Sequence, residues 1–274
     1  MSITPRTVLV LGGGGMKGVA HAGAWKAIQE AGLGIDAIIG TSIGSLVGAC
    51  LAAGWGWREL GELSLALRKD DIVAINRRAV LFGGVREEAV FREDQFRGYI
   101  ENNLPLKSFA DASIPFRLNA VSLVSGETVW FGSGVREDAP VTDAVYASCA
   151  IPIYFPPGRI GNDVLVDGGV LDVLPLSAAA AWGAERILAV DVGSDLLPPD
   201  PGFFDRGMVA IHDRVLGINL AGQRRRLMEA HDGPPTLYVR PRIGHLHSFD
   251  FDRTQFFLEE GYRATRQALE RGWP

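Results

Sequence analysis

Three glycine-flanked turns carry the residues of this chain best suited to covalent chemistry. The first is Gly12-Gly13-Gly14-Gly15-Met16-Lys17-Gly18, directly after the apolar run Val8-Leu9-Val10-Leu11. The second is Gly40-Thr41-Ser42-Ile43-Gly44, after Ala37-Ile38-Ile39. The third is Asp167-Gly168-Gly169, after Val164-Leu165-Val166. A hydroxyl, a carboxylate and closely approaching backbone N–H groups are most of what acyl transfer needs. In a Gly-x-Ser-x-Gly bend the serine sits on a tight strand-to-helix turn. Gly40 and Gly44 remove side chains that would collide across that bend. The Ser42 hydroxyl then sits at a helix N-terminus, where the dipole favours developing negative charge. The competing role for Ser42 is simply to cap the helix that follows. Gly13, Gly14 and Gly15 can offer successive N–H groups to an oxyanion. Lys17 adds positive charge nearby or anchors the loop, and Gly18 completes the turn.

Gly13-x-Gly15-x-x-Gly18 also matches a dinucleotide-binding fingerprint. That fingerprint expects an acidic residue at the end of the second strand. Here the second strand runs into Gly40-Thr41-Ser42, and Asp36 lies at its other end. A phosphate-binding P-loop is excluded, because Gly18 rather than Ser or Thr follows Lys17.

A serine nucleophile needs a base, usually a histidine held by a carboxylate. The histidines are His21, His212, His231, His245 and His247. The order Ser42, Asp167, His245 fits an α/β-hydrolase triad, although that fold presents its nucleophile after more strands than precede Ser42 here. His245 and His247 lie in a polar loop and read as surface residues or a weak metal pair. Without a histidine the base must be a carboxylate. Asp167, next to Gly168 and Gly169, has room to approach another turn closely. An ordinary Asp is a weak base, and burial strengthens it. An Asp before two glycines also forms turns with no further purpose.

The three turns, in this order, resemble the bacterial patatin-like phospholipase family. Ala147-Ser148-Cys149-Ala150-Ile151-Pro152, running on to Phe155-Pro156-Pro157, is similar to that family's loop before its aspartate, and Leu174-Pro175 also matches. The resemblance covers about residues 7 to 192. It implies a Ser–Asp dyad, with Ser42 as nucleophile, Asp167 as base, Gly13 to Gly15 as oxyanion donors and no catalytic histidine. It implies an acyl-lipid substrate and no metal or organic cofactor. Two positions depart from the family pattern: Ser122 stands where relatives often carry Asp, and Asp172 where Asn is frequent.

The elements that must position these residues follow from hydrophobic periodicity. Val8–Leu11 and Ile35–Ile39 read as short buried parallel strands. Helices are predicted from Gly18 to Ala31 and from Ser42 to Ala53. Residues 57 to 111 are more charged, with turns at Arg68–Asp71 and Arg86–Glu88 and a helix near Arg92 to Asn102. Pro115–Val124 and Glu127–Phe131 read as a hairpin. Further helices are expected from about Pro140 to Ser148 and from Leu176 to Trp182, with a strand from Arg186 to Val192. The tail reads as a helix from Asp205 to Ala230, a strand from Thr236 to Arg240 and a helix from Arg253 to Glu270. Strands joined by helices need both faces covered. The expected fold is a three-layer α/β/α sandwich with a mostly parallel sheet. The core spans residues 7–192, and residues 193–274 form a helical extension packed on the same domain.

Composition sets the remaining bounds. The chain has 274 residues, 47% of them hydrophobic, and a net charge of −5. Mixed charge of this sign argues against nucleic acid. Cys50 and Cys149 are far apart in apolar segments, so buried reduced thiols and a cytoplasmic location are expected. No signal peptide is expected, because the first apolar run breaks into glycines. The uncharged stretch from Ala37 to Trp57 carries glycines at 40, 44 and 48 and could suggest a membrane span, but Gly40-Thr41-Ser42 interrupts it. Met208, Ile211, Val215 and Ile218 have helical spacing ahead of Arg224-Arg225-Arg226. Such a helix either makes peripheral contact with an anionic membrane or, as the ordinary reading has it, faces the core with a solvated basic end. The oligomeric state leaves no trace in the sequence.

Overall fold

The computed structural model describes residues 6–78, 87–230 and 232–273. Arg86 and His231 lie outside them. Strand β1 (Thr7–Leu11) is buried along its whole length. An unbroken apolar run needs cover on both faces. It lies parallel between β2 (Ala37–Thr41) and β7 (Arg186–Val190). β3 (Phe116–Ser122) pairs parallel with β2, and β8 (Thr236–Val239) pairs parallel with β7. β4 (Thr128–Gly132) returns antiparallel beside β3, making the expected hairpin. β5 (Gly158–Ile160) and β6 (Asp163–Asp167) extend the sheet antiparallel, giving the order β5-β6-β3-β2-β1-β7-β8.

Helices cover both faces of this mostly parallel sheet. α1 (Ala20–Glu30), α2 (Ile43–Ala52), α3 (Trp57–Ala66), α4 (Glu93–Asn103) and α5 (Val141–Cys149) share the larger core cluster. α6 (Leu176–Ala181) and part of α7 (Met208–Ala230) pack on the smaller one. The result is an α/β/α sandwich, as expected from the alternation of strands and helices. The closing helix α8 (Thr254–Arg271) lies against α1 at glycine contacts. A Cβ on Gly23 would come within 1.9 Å of the Leu258 carbonyl, and one on Gly261 within 1.9 Å of the Ala20 carbonyl. Residues 193–273 thus supply β8 to the sheet as well as helices.

Several boundaries differ from the sequence expectation. β2 begins at Ala37, not Ile35, because Asp36 folds back so that its Oδ2 accepts the Thr7 N–H at 2.7 Å. β2 continues to Thr41 because Thr41 still pairs with Asn119. The segment Gly15–Val19 is a 3₁₀ turn, and α1 starts only at Ala20. The Met16 N–H goes instead to the Ser248 carbonyl at 2.7 Å. The stretch from Ala37 to Trp57 divides into β2, α2 and the start of α3, and among the described residues no helix is long and apolar enough to cross a membrane.

α7 contradicts the ordinary reading of its apolar spacing. Met208, Ile211, Val215 and Ile218 do not face the core; their exposures run from 46% to 73%. The inner face of the helix carries Gly217, Leu220 and Arg224 instead. Helical spacing specifies a stripe, not which way the stripe points.

Candidate active site

β3 brings Ser42 and Asp167 together by register. β2 climbs beside β3 and stops with Thr41 opposite Asn119. β6 descends along the same edge and stops with Asp167 opposite Ala120. The two strands meet end to end over neighbouring residues of β3. Asp167 therefore arrives on an antiparallel strand, unlike Ser42. The Asp167 N–H is held by the Ala150 carbonyl at 3.0 Å, at the head of the proline-rich loop.

Ser42 sits on the elbow with φ 55° and ψ −128°. A positive φ at a non-glycine residue costs energy that surrounding contacts must hold. Its side chain does not cap α2. Its Oγ–H donates to Asp167 Oδ2 at 2.6 Å. Gly40 and Gly44 face each other across the bend: a Cβ on Gly40 would lie 2.3 Å from the Gly44 carbonyl, and one on Gly44 would lie 2.1 Å from the Leu11 carbonyl. Gly18 abuts the Ile43 side chain, which fixes the first turn against the second.

Asp167 Oδ1 accepts the Gly169 N–H at 2.8 Å. Gly168 lies against Asn119, with no room for a side chain. Burial raises the Asp167 carboxyl to about 6, and the bonds from Ser42 and Gly169 only partly oppose that rise. A carboxyl at this value is ionised at neutral pH and far more basic than a free Asp.

The glycine turn separates into two kinds of donor. The Gly13 N–H is committed to the Val173 carbonyl at 3.1 Å. Gly14 and Gly15 line the cavity beside Ser42, and their N–H groups have no protein partner among the described residues. Two N–H groups rather than three are therefore free for an oxyanion. Gly14 cannot be enlarged without strain, since a Cβ there would meet the Val192 carbonyl at 2.5 Å. Lys17 is fully buried behind the turn, and its Nζ donates to Ser194 Oγ at 2.5 Å. Burial, reinforced by Arg224 and Arg240, lowers its pKa to about 8. Asp191 and Asp195 balance these cations, with Arg240 bonded to both.

Four supporting residues have no role assigned by the motifs, although Ser148 lies in the segment that resembles the family's loop. Ser148 Oγ accepts the Ser42 N–H at 2.9 Å, and Ser45 Oγ donates to the Ser42 carbonyl at 2.6 Å. Asn119 donates to the Asp172 carbonyl at 3.1 Å, tying β3 to the segment after Asp167. Gln223 on α7 bonds to the carbonyls of Gly169 and Val170 and accepts the Val173 N–H. Long-range partners identify the roles of Ser148, Asn119 and Gln223, while the Ser45 bond is local.

The histidines stand apart from the pair. His21 is buried and its Nε2 meets the Gly12 carbonyl at 2.9 Å, while burial lowers its pKa to about 4. His245 and His247 are exposed on the rim of the Ser42 cavity. No histidine among the described residues bonds to Ser42 or Asp167. The nucleotide reading also loses its acid, since Asp36 is committed to Thr7 at the far end of β2.

The cavity over Ser42 and Asp167 has a volume of about 880 Å³ and is open to solvent. Ile151, Val170, Val173, Leu220 and Phe249 give it apolar walls. Ile43 and Leu46 do not line it; they pack in the core around α2.

A helix-covered, mostly parallel sheet, with an elbow serine bonded to an aspartate beside a glycine turn, defines a narrow structural class. The sequence profile of the patatin-like phospholipase family matches residues 9–180, and the chain belongs to that family. An uncharacterised NTE-family protein of Mycobacterium tuberculosis is 31% identical over 198 residues, covering 72% of this chain and 52% of that protein. The lysophospholipase nte1 of Aspergillus fumigatus is 30% identical, covering 96% of this chain and 18% of its own length. The chain thus spans about half the length of the mycobacterial relative and under a fifth of the fungal one. Among solved structures, VipD from Legionella pneumophila shares the fold with a TM-score of 0.54 at 13% identity, over 98% of this chain and 67% of that one. The type III effector ExoU gives 0.50 at 16% identity, over 98% of this chain and 53% of that one.

Proposed function

We propose that this protein is a serine acyl hydrolase that cleaves acyl esters of lipids, of phospholipase A or lysophospholipase type. The observation that carries the reading is the 2.6 Å hydrogen bond from Ser42 Oγ to the buried Asp167 carboxylate, beside the free N–H groups of Gly14 and Gly15. Asp167 takes the hydroxyl proton as Ser42 Oγ bonds to the ester carbonyl carbon. The carbonyl oxygen becomes an oxyanion and accepts the Gly14 and Gly15 N–H groups. The C–O bond to the alcohol breaks, and the leaving alkoxide takes the proton from Asp167. A water then attacks the acyl-enzyme, giving its proton to Asp167, and the fatty acid leaves as Ser42 recovers that proton. This sequence needs no metal and no organic cofactor. The name of the Aspergillus fumigatus relative, lysophospholipase, supports the substrate class. Cys50 and Cys149 are free buried thiols, which fits a cytoplasmic enzyme.

Labelling with a fluorophosphonate followed by peptide mapping tests the nucleophile, and Ser42 is the expected adduct. Substrate class is tested by turnover across p-nitrophenyl esters of increasing chain length and across phospholipids. Each methylene buried against the apolar walls should raise kcat/KM about fourfold until the cavity is full, from roughly 0.8 kcal/mol per methylene. A flat chain-length profile, with no phospholipid cleaved, would make the protein a general esterase.

A Ser-His-Asp carboxylesterase is the second reading, because His245 does border the cavity. His245→Ala and His247→Ala are expected to leave kcat within about twofold of the parent, since surface substitutions away from bonded networks are usually small. A folded His245→Ala protein without activity would establish the triad instead.

A further inference from the structure

We propose that the outward face of α7 is a docking surface for an anionic lipid bilayer. Met208, Ile211, Val215 and Ile218 recur every three or four residues and so share one side of the helix. All four are exposed, as are Leu196, Leu197 and Phe204 in the segment leading into it. The opposite side of the same helix carries Gly217, Leu220 and Arg224, which line the cavity over Ser42. α7 therefore has its apolar stripe pointing away from the protein. Folding only partly explains an outward stripe, because 46% to 73% of each residue stays exposed in the folded chain.

Charge and continuity select the occupant. Arg225 and Arg226 follow the stripe and are exposed, with no ion-pair partner among the described residues; Arg226 also lines a cavity with Leu227 and Asp232. Apolar side chains flanked by free arginines fit the boundary between acyl chains and anionic head groups. Leu196 and Leu197 are both exposed, lie beside α7 at Gly217 and Arg214, and are part of the cavity lining. The surface is thus continuous with the mouth of the site, so a docked lipid has a short apolar path towards Ser42. Of the segment's exposed acids, Asp195 pairs with Arg240 and Asp200 with Arg206, while Asp205 and Glu229 lie towards the two ends of α7. Asp213 bonds inward to the Tyr154 hydroxyl at 3.3 Å.

Bilayer docking extends the lipid-hydrolase reading, and binding is measured separately from turnover, so the two fail separately. The test is co-sedimentation of the full chain with phosphatidylcholine vesicles, with and without phosphatidylglycerol. The parent protein should bind the phosphatidylglycerol vesicles. Val215→Glu should lower partitioning at least about tenfold. Arg225→Ala combined with Arg226→Ala should lower it roughly 30-fold on the anionic vesicles only, at about fivefold per basic residue. None of these residues borders Ser42, so turnover of a soluble short-chain ester should not change. Val215→Ser with Ile218→Ser repeats the test without an added charge should Val215→Glu fold poorly. Equal sedimentation of the parent and both stripe variants would overturn the proposal. So would a parent protein that self-associates through the stripe and ignores vesicles.

Discussion

Ser42→Ala is expected to leave a folded protein whose ester turnover falls by roughly a million-fold, the loss seen when an acyl-transfer nucleophile is removed. The hydroxyl is the only atom of Ser42 that reaches Asp167, while its N–H and carbonyl are held by Ser148 and Ser45. Those backbone bonds survive the substitution, so the elbow should persist. Two stability effects accompany it. The Asp167 carboxylate loses one of its two hydrogen bonds inside the protein, at a cost of about 1–3 kcal/mol. Alanine also inherits the positive φ of 55° without a compensating bond. Ser42→Gly relieves that φ and should be the better-folded of two inactive proteins. Kinetics on p-nitrophenyl butyrate with thermal melting checks both statements. Substantial turnover in a folded Ser42→Ala protein would remove Ser42 from the mechanism.

Asp167→Asn is expected to abolish turnover and to raise the melting temperature. The amide keeps the shape: its oxygen can accept the Gly169 N–H, and its NH₂ can donate to Ser42 Oγ. It cannot take a proton. The stability sign follows from linkage. Burial places the folded-state pKa of Asp167 at about 6, above that of an unfolded Asp. Between these values the folded state holds more protons, so stability falls as pH rises through the interval. Above about pH 6 the buried charge costs the fold on the order of 3 kcal/mol. Asn removes that cost, and a rise on the order of 5 °C at pH 8 is reasonable for a chain of this size. At pH 4 the gain should vanish. The same ionisation shapes turnover: kcat/KM of the parent should drop about tenfold per unit below pH 6. An acid limb near pH 4, or Asp167→Asn melting below the parent at pH 8, would contradict the assignment.

The parts of the fold and site that were legible in the sequence are those encoded by short-range pattern. The apolar run Val8–Leu11 could only be a buried strand, and the three glycine turns mark where strands end. The resemblance of those turns to a known family supplied the pairing of Ser42 with Asp167. What escaped depends on partners distant in sequence. The direction of β6 is set by its pairing with β3, and nothing within Val164-Leu165-Val166 specifies it. The Gly13 N–H looks as free as that of Gly14 until Val173 is placed against it. Gln223 is an ordinary polar residue of a helix until its four hydrogen bonds are seen, three of them to the turn after Asp167. α7 shows the converse case: its periodicity was plain, yet periodicity carries no inside or outside.

The end-to-end meeting of β2 and β6 over β3 has a consequence for when the proposed dyad can assemble. Ser42 and Asp167 are 125 residues apart in the chain. Neither local helix formation nor collapse brings them together; both β2 and β6 must first find β3. Pairings between such distant segments form late, because their loop-closure entropy is spent before contacts reward it. An emerging or half-folded chain therefore carries an idle hydroxyl and a solvated, weakly basic carboxylate. The β3–β6 ladder spans only three residue pairs, close to one edge of the sheet. Loosening that edge silences the dyad while the rest of the sheet still stands. Under the proposed mechanism, ester cleavage would then require a molecule whose sheet is complete.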